Sequence, residues 1–136
     1  MGMYTEIIFG AELKEDTPNE VIETIYDLIT CDNIDEFKYV PEHDFFRLHE
    51  CFLLKHPGTC FYSTFNKSDK PKIFYINDIT NRYILQFKAF IRNYNNQIEL
   101  FLDWIKPFIS FGIDYQKFYA IVCYEEQKEP TIYYLN

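Results

Sequence analysis

The apolar residues of this chain follow two different spacings, and these spacings constrain its fold more than any other feature. Apolar residues recur at alternate positions in residues 5–13 and again in residues 83–91, which is typical of strands with one buried face. They recur at three- and four-residue spacing in residues 21–29 and 98–109, which predicts amphipathic helices. Strands and helices that each have one apolar face are expected to pack together in layers.

The remaining segments complete an α+β pattern. Residues 59–65, 72–77 and 131–135 predict further strands, and residues 118–124 are apolar on both faces, as in a central strand covered on both sides. The order predicts an antiparallel sheet of about five or six strands with two amphipathic helices packed on one face. The chain of 136 residues is expected to form a single compact α+β domain, with residues 31–58 as an irregular acidic and aromatic connection.

Each predicted helix carries an N-terminal capping signal. The hydroxyl of Thr17 is expected to cap the amide of Glu20 at the start of the first helix. Asn96 is expected to cap the second helix, with Glu99 adding a further contact. Pro107 is expected to end or kink that second helix, because proline cannot donate the next hydrogen bond.

The negative charge is concentrated in the first half of the chain. The chain contains 13 Lys+Arg and 21 Asp+Glu, a net charge of −8. Residues 1–66 hold 13 acidic and 4 basic side chains, whereas residues 67–136 hold 8 acidic and 9 basic, so the halves carry −9 and +1. Net negative charge argues against direct nucleic-acid binding, which requires a basic surface to displace counterions from phosphates.

The apolar runs and the cysteines indicate the cellular compartment in which the protein is expected to function. No apolar run is long enough to cross a membrane, and no secretory leader is expected before the first strand. The 4 cysteines lie at irregular spacing and are expected to be reduced thiols. These features predict a cytoplasmic protein without membrane association.

Acidic and aromatic side chains are interleaved in the irregular connection. Such a surface can bind a basic partner, because aromatic side chains anchor the centre while carboxylates steer the encounter and pair with Arg or Lys. The alternative is a connection whose aromatics pack under the sheet while its acids stay in water. The predicted partner-binding face consists of Asp32, Asp35, Glu36, Phe37, Tyr39, Glu42, Asp44, Phe45, Phe46 and Glu50.

All 3 histidines and two of the 4 cysteines fall within residues 43–60. Zinc binds neutral imidazole and thiolate, so candidate metal ligands are His43, His49, Cys51, His56 and Cys60. The spacing lacks the pair of closely spaced cysteines that places two ligands on one turn. A loop with surface histidines and buried cysteines explains the pattern better, so neither a metal nor another cofactor is predicted.

Other chemical motifs are short. Glu12-Leu13-Lys14 and Glu36-Phe37-Lys38 have the Glu-x-Lys form found in metal-dependent nucleases, and Glu125, Glu126 and Glu129 form an acidic turn in which paired carboxylates can act as acid and base. Solvated strand ends and turns produce the same patterns. The chain has no Gly-x-Ser-x-Gly, and its 4 glycines are too scattered for a phosphate-binding loop. An enzymatic function is therefore not predicted.

Both ends of the chain contain short motifs, namely Tyr4-Thr5-Glu6, Glu12-Leu13-Lys14, Asp16-Thr17-Pro18, Glu20-Val21-Ile22, Asn93-Tyr94, Ile98-Glu99, Phe101-Leu102-Asp103-Trp104-Ile105-Lys106-Pro107, Tyr124-Glu125-Glu126 and Pro130-Thr131-Ile132-Tyr133-Tyr134. With these motifs the chain resembles a family of small uncharacterised phage and prophage proteins, whereas residues 31–80 match poorly. The resemblance implies a phage or mobile-element origin in a bacterial host and no chemistry. Most of the matching residues are capping, core and turn positions, so the resemblance bears mainly on the fold.

Three functions remain open from the sequence. The first is a phage or prophage protein in the host cytoplasm that binds a host protein or defence complex and inhibits a bacterial defence system such as CRISPR–Cas. The second is a small-molecule or nucleotide-binding protein that uses the sheet face beside Arg82, Lys88 and Arg92. The third is a structural prophage protein that forms a homodimer through its aromatic surface and has no role in defence.

Overall fold

The chain folds into five strands and two helices within the residues that the computed structural model describes, which are 4–48, 54, 73–110 and 118–135. The predicted strand at residues 59–65 lies outside these residues. None of the described helices has the length and apolar character needed to cross a membrane. The elements are β1 (Tyr4–Glu12), α1 (Asn19–Thr30), β2 (Phe74–Asn77), β3 (Arg82–Arg92), α2 (Gln97–Ile105), β4 (Phe118–Tyr124) and β5 (Thr131–Tyr134).

The strands form one antiparallel sheet in the order β2-β3-β1-β4-β5. The central strand is β1, where Phe9 lies opposite Phe87 of β3 and Ala120 of β4. The first four strands and the two helices have the order and strand directions of the ferredoxin-like β-α-β-β-α-β arrangement. A fifth strand, β5, extends the β4 edge as a hairpin. The predicted α+β class and antiparallel sheet are confirmed.

Both helices lie against the same face of the sheet. In β1, Ile7, Phe9 and Ala11 alternate as buried residues, and the ring of Phe9 lies 5.2 Å from that of Phe87. Phe101 of α2 contacts both rings at 5.7 Å. The apolar stripe of α1 belongs to the same core, so these contacts form one hydrophobic layer between helices and sheet.

The opposite face of the sheet, called the open face below, has no described helix on it. It carries the side chains that alternate with the core residues. Ile121 and Cys123 of β4 are half-exposed there. Within the described residues, the prediction that residues 118–124 form a central strand covered on both sides is therefore wrong, because β4 lies second from one edge and the described helices cover one of its faces. The open-face side chains of the two middle strands are Tyr4, Glu6, Ile8, Gly10 and Glu12 of β1 and Arg82, Ile84, Gln86, Lys88, Phe90 and Arg92 of β3.

Both predicted caps differ from the structure. The Thr17 hydroxyl donates to the carbonyl of Lys14 at 2.6 Å instead of capping α1, and the residue before α1 makes no side-chain capping bond. Asn96 has a left-handed backbone (φ 57°) and makes no capping bond. The amide of Ile98 instead donates to Oδ1 of Asn93 at 2.8 Å, because left-handed turns at residues 95 and 96 bring Asn93 back over the helix start.

The end of α2 agrees with prediction. The helix stops at Ile105, and a 3-10 turn over Lys106–Phe108 contains Pro107. Ile109 then forms an isolated antiparallel bridge with Leu13. The turn therefore joins α2 to the end of β1.

Candidate functional site

The acidic segment, residues 31–48, starts at the C-terminus of α1 and carries the predicted partner-binding face. It contains two 3-10 turns, Ile34–Glu36 and Asp44–Arg47, and its five carboxylates and two cations give a net charge of −3. Tyr39 and Val40, which are 45% and 47% exposed, lie between the two turns. The exposed carboxylates are those of Asp32, Asp35, Glu36, Glu42 and Asp44. The predicted Glu50 lies outside the described residues.

The two turns begin with the same kind of side-chain contact. Oδ1 of Asn33 accepts a hydrogen bond from the amide of Asp35 at 3.3 Å. Nδ1 of His43 accepts from the amide of Phe45 at 3.1 Å. Side-chain acceptors at this position satisfy amides that a short helix leaves unpaired. Each cap therefore orders a turn that presents acidic side chains.

A buried carboxylate on α1 holds the first turn. Asp27 is 8% exposed, and its Oδ2 accepts from the backbone amide of Lys38 at 3.0 Å. Its Oδ1 accepts from the Cys31 thiol at 3.8 Å. The two oxygens thereby join both sides of the first turn to the helix.

Two aromatic residues of the segment hold the second turn against α2. The ring of Phe45 lies 5.5 Å from that of Phe101, and the ring of Phe46 lies 4.9 Å from that of Trp104. Phe45 is 1% exposed. Phe45 and Phe46 therefore belong to the core, which corrects their assignment to the partner-binding face: their burial holds the turn in place. Phe37 is half-buried and packs against the core.

His43 adds a third attachment. Its Nε2 lies 2.9 Å from Oδ2 of Asp103 on α2. Since Nδ1 accepts a hydrogen bond from the Phe45 amide, the network assigns the ring hydrogen to Nε2, which donates to Asp103. Both ring nitrogens of His43 thus have partners within the protein.

Of the five candidate metal ligands, His43 alone lies within the described residues. The other candidate ligands, His49, Cys51, His56 and Cys60, lie outside the described residues. Among the residues that the structure does describe, no group of three or more His, Cys, Asp or Glu side chains is arranged to hold a metal ion.

The Glu-x-Lys motif at Glu12 lies at the end of β1. Glu12 Oε1 is 3.4 Å from a guanidinium nitrogen of Arg82, and the same nitrogen donates to Ser110 Oγ at 3.1 Å. Lys14 is exposed and lines a shallow groove with Glu15, Asp16, Arg82 and Ser110. Pairing with Arg82 offsets the charge with which the Glu12 carboxylate would attract a metal ion.

The other acidic motifs lie on the surface. Glu36 and Lys38 are both exposed. Glu125, Glu126 and Glu129 are exposed in the connection between β4 and β5, where Glu125 Oε2 accepts from the backbone amide of Tyr4 at 3.0 Å.

A polar clasp joins α2 to β4. The Tyr124 hydroxyl donates to Oε1 of Glu99, while Nδ2 of Asn93 donates to both oxygens of the same carboxylate at 3.0 and 2.8 Å. Burial, followed by the hydrogen bond to Glu99, raises the pKa of Tyr124 far above its ordinary value. The phenol therefore remains a hydrogen-bond donor across the physiological pH range.

The sequence prediction missed several residues that organise these surfaces. Asp27 and Asp103 act over long sequence distances, so no local pattern identifies them. Tyr4 and Phe90, whose rings stack at 4.9 Å on the open face, were also missed. A signal was available for Phe90, because it occupies a position of β3 where Gln86, Lys88 and Arg92 place polar side chains.

The chain matches no protein-family model, no curated protein and no solved structure among those with which it was compared. The described residues present two surfaces that bear on function, the acidic segment and the open face.

Proposed function

We propose that this protein is a non-enzymatic binding module of phage or prophage origin whose acidic segment docks on a basic surface of a host protein. The observation that carries the proposal is the exposure of five carboxylates on a segment held by buried contacts to both helices. The phage origin rests on the resemblance of short motifs at the two ends of the chain. We propose that this host protein is located in the bacterial cytoplasm.

The attachment of the segment matters for affinity. A loop that is ordered before binding loses less conformational entropy when it docks. Asp27 attaches the segment to α1, whereas Phe45 and His43 attach it to α2. Its carboxylates are therefore presented in one arrangement at a small ordering cost.

The chemistry of the segment fits a cationic partner. Tyr39 and Val40 offer apolar contact area between the two acidic turns, and the surrounding carboxylates pair with Arg or Lys and accelerate association. Proteins of bacterial defence that bind nucleic acid expose such cations to phosphates. We infer that the segment occupies a cationic groove of this kind, as in a CRISPR–Cas complex, and blocks it.

The test replaces the charge of the segment and leaves its anchors unchanged. Cells carrying defined defence systems express the wild-type chain or a variant with D32N, D35N, E36Q, E42Q and D44N, and phage plaques are counted. The wild-type chain is expected to restore plaque formation against at least one system, and the five-amide variant is expected to lose that effect. A matched control carries E125Q, E126Q and E129Q in the β4–β5 connection and is expected to act as wild type.

Thermal unfolding of each variant separates loss of binding from loss of folding. The five replaced side chains are exposed, so the melting temperature is expected to change little. The proposal is contradicted if the wild-type chain protects phage from no system, or if the five-amide variant protects as well as the wild type.

A further inference from the structure

The open face carries a cluster of exposed rings around one arginine. Tyr4 of β1 and Phe90 of β3 stack with ring centroids 4.9 Å apart and an interplanar angle of 16°. The Arg92 guanidinium carbon lies 5.3 Å from the Tyr4 ring centroid, and its Nη1 donates to the hydroxyl of Tyr94 at 3.3 Å. Tyr4, Phe90, Arg92 and Tyr94 are called the open-face aromatic cluster below.

The rings of this cluster remain accessible despite their mutual contacts. Phe90 is 63% exposed and Tyr94 is 54% exposed, whereas Tyr4, which touches both Phe90 and Arg92, is 39% exposed. A phenylalanine on the polar side of a strand exposes apolar surface to water at a free-energy cost. The accessible part of the Phe90 ring is therefore available to stack on another planar group.

The open-face side chains of β1 and β3 carry one more positive charge than negative charge. They include three cations and two carboxylates. Glu6 lies 3.8 Å from Lys88, and Glu12 pairs with Arg82. Within the described part of the chain, no carboxylate lies within ion-pairing distance of Arg92. Glu125 is the acidic residue at the rim, where it accepts from the Tyr4 amide.

The acidic segment lies on the other side of the sheet. Phe45 and Phe46 pack on α2, which covers the core face. Packed layers are about 10 Å apart, which exceeds the Debye length of about 8 Å at physiological ionic strength. At that ionic strength the carboxylates of the acidic segment therefore repel an anion at the open face only weakly.

We propose that the open-face aromatic cluster binds single-stranded nucleic acid. A base stacks on the accessible part of the Phe90 ring, which Tyr4 holds in place by stacking on it, while Arg92 and Lys88 contact the phosphate backbone. Four-stranded sheets whose exposed aromatic residues stack bases are a general means of binding single strands. Here the two stacked rings lie on the adjacent middle strands β1 and β3 of the order β2-β3-β1-β4. The net charge alone predicts no such binding, whereas the placement of the charges permits it at this face.

A polymer fits this face better than a free nucleotide. Small-molecule sites enclose most of their ligand's surface, whereas the cluster lies on an exposed sheet and offers stacking and one unpaired cation. Successive nucleotides of a strand can use rings and cations together. With only Arg92 and Lys88 facing phosphates, we expect a shallow dependence of affinity on salt, with a log–log slope of about −1 to −1.5.

The test measures fluorescence anisotropy of a labelled ten-nucleotide strand with the full chain at about 0.15 M ionic strength. Single-stranded RNA, single-stranded DNA of the same sequence and the corresponding DNA duplex are titrated in parallel. We expect at least one of the two single strands to bind and the duplex to bind at least about fivefold more weakly, because its bases are already stacked. Failure of both single strands to bind, or equal affinity for the duplex, overturns the proposal.

Variants locate the binding within the cluster. F90L keeps an apolar side chain but removes the stacking ring, and R92Q removes the unpaired charge. Each is expected to weaken single-strand binding at least about fivefold. E125Q removes the rim carboxylate and is expected to strengthen binding. Wild-type affinity of F90L, with folding confirmed by circular dichroism, overturns the proposal.

The test is independent of the proposed function of the acidic segment. The five-amide variant keeps the open-face aromatic cluster intact, so it is expected to bind the strand at least as tightly as the wild type. A loss of strand binding in that variant would contradict binding at the open face. The plaque assay of the same variant reports on the acidic segment alone.

Discussion

The side-chain carboxylate of Asp27 accepts a hydrogen bond at 3.0 Å from the backbone amide of Lys38, which lies eleven residues further along the chain. This contact attaches the residues that follow the first 3-10 turn of the acidic segment to α1. A charged acceptor in a buried position forms a stronger hydrogen bond than a neutral one. The order of the segment should therefore depend on Asp27 more than on any of its exposed carboxylates.

Replacing Asp27 should separate its hydrogen bond from its charge. D27L removes the acceptor for the Lys38 amide and is expected to lower the free energy of unfolding by about 1–3 kcal/mol. D27N retains an oxygen acceptor of the same shape and is expected to lower it by less. Urea unfolding measures both changes, and equal stability of D27L and the wild type would show that the contact does not hold the segment.

Two aromatic residues of the segment should behave in opposite ways. F45A removes a ring buried between Phe101 and Trp104 and is expected to cost about 3–5 kcal/mol of stability. Y39A removes an exposed ring and is expected to change stability by less than about 0.5 kcal/mol, while reducing phage protection in the plaque assay. A similar loss of stability in both variants would contradict the observed division between core and surface.

The cap of α2 can be tested with two asparagines three residues apart. N93A loses the acceptor for the Ile98 amide and both hydrogen bonds to Glu99, so a loss of about 1–2 kcal/mol is expected. N96G places glycine at a left-handed position that glycine adopts readily, so a change within about 0.5 kcal/mol is expected. Thermal unfolding measures both changes in stability. A larger loss in N96G than in N93A would show that Asn96 is the cap.

Tyr124 should make stability sensitive to alkaline pH. Burial and the hydrogen bond to Glu99 raise its pKa in the folded chain above the ordinary value of 10.0, so the folded state holds this proton more tightly than the unfolded state. The free energy of unfolding is therefore expected to fall as the pH rises above about 10. Urea unfolding between about pH 9 and pH 11 is the measurement.

Y124F isolates the contribution of this residue. The variant should lose less stability over that pH range than the wild type does. Part of the dependence should remain, since burial also raises the pKa of Tyr119 and of Tyr26. Y134F, which alters an exposed tyrosine of β5, is the matched control. Parallel pH profiles for Y124F and the wild type would contradict the assignment.

The elements that could be predicted are those whose spacing is set locally. Alternation in β1 and β3 and the apolar stripes of α1 and α2 follow directly from the geometry of strands and helices. The caps were mispredicted because the usual three-residue offset does not apply to Asn93, which reaches Ile98 through two consecutive left-handed residues. The residue types near a helix start indicate where the helix begins, but not the backbone conformation of the residues that precede it.

The candidate surfaces were harder to predict, because a side chain's environment depends on distant parts of the chain. Phe45 and Tyr39 look equivalent in sequence, yet only Phe45 lies against Phe101 and Trp104. The apolar character of residues 118–124 suggested cover on both sides, whereas Ile121 is half-exposed on the open face. Phe90 shows that an aromatic residue at a polar position of a strand identifies a candidate binding surface better than overall composition does.

The central position of β1 has a consequence for how the chain reaches its native state. Thr5 pairs with Ile91 on one side and with Tyr124 on the other, so β1 gains its two neighbouring strands only after a long further stretch of the chain has been synthesised. Contacts between such distant residues raise the contact order and slow folding. Until β4 is made, one edge of β1 is unpaired, and a chaperone that shields this nascent strand should increase the yield of native protein.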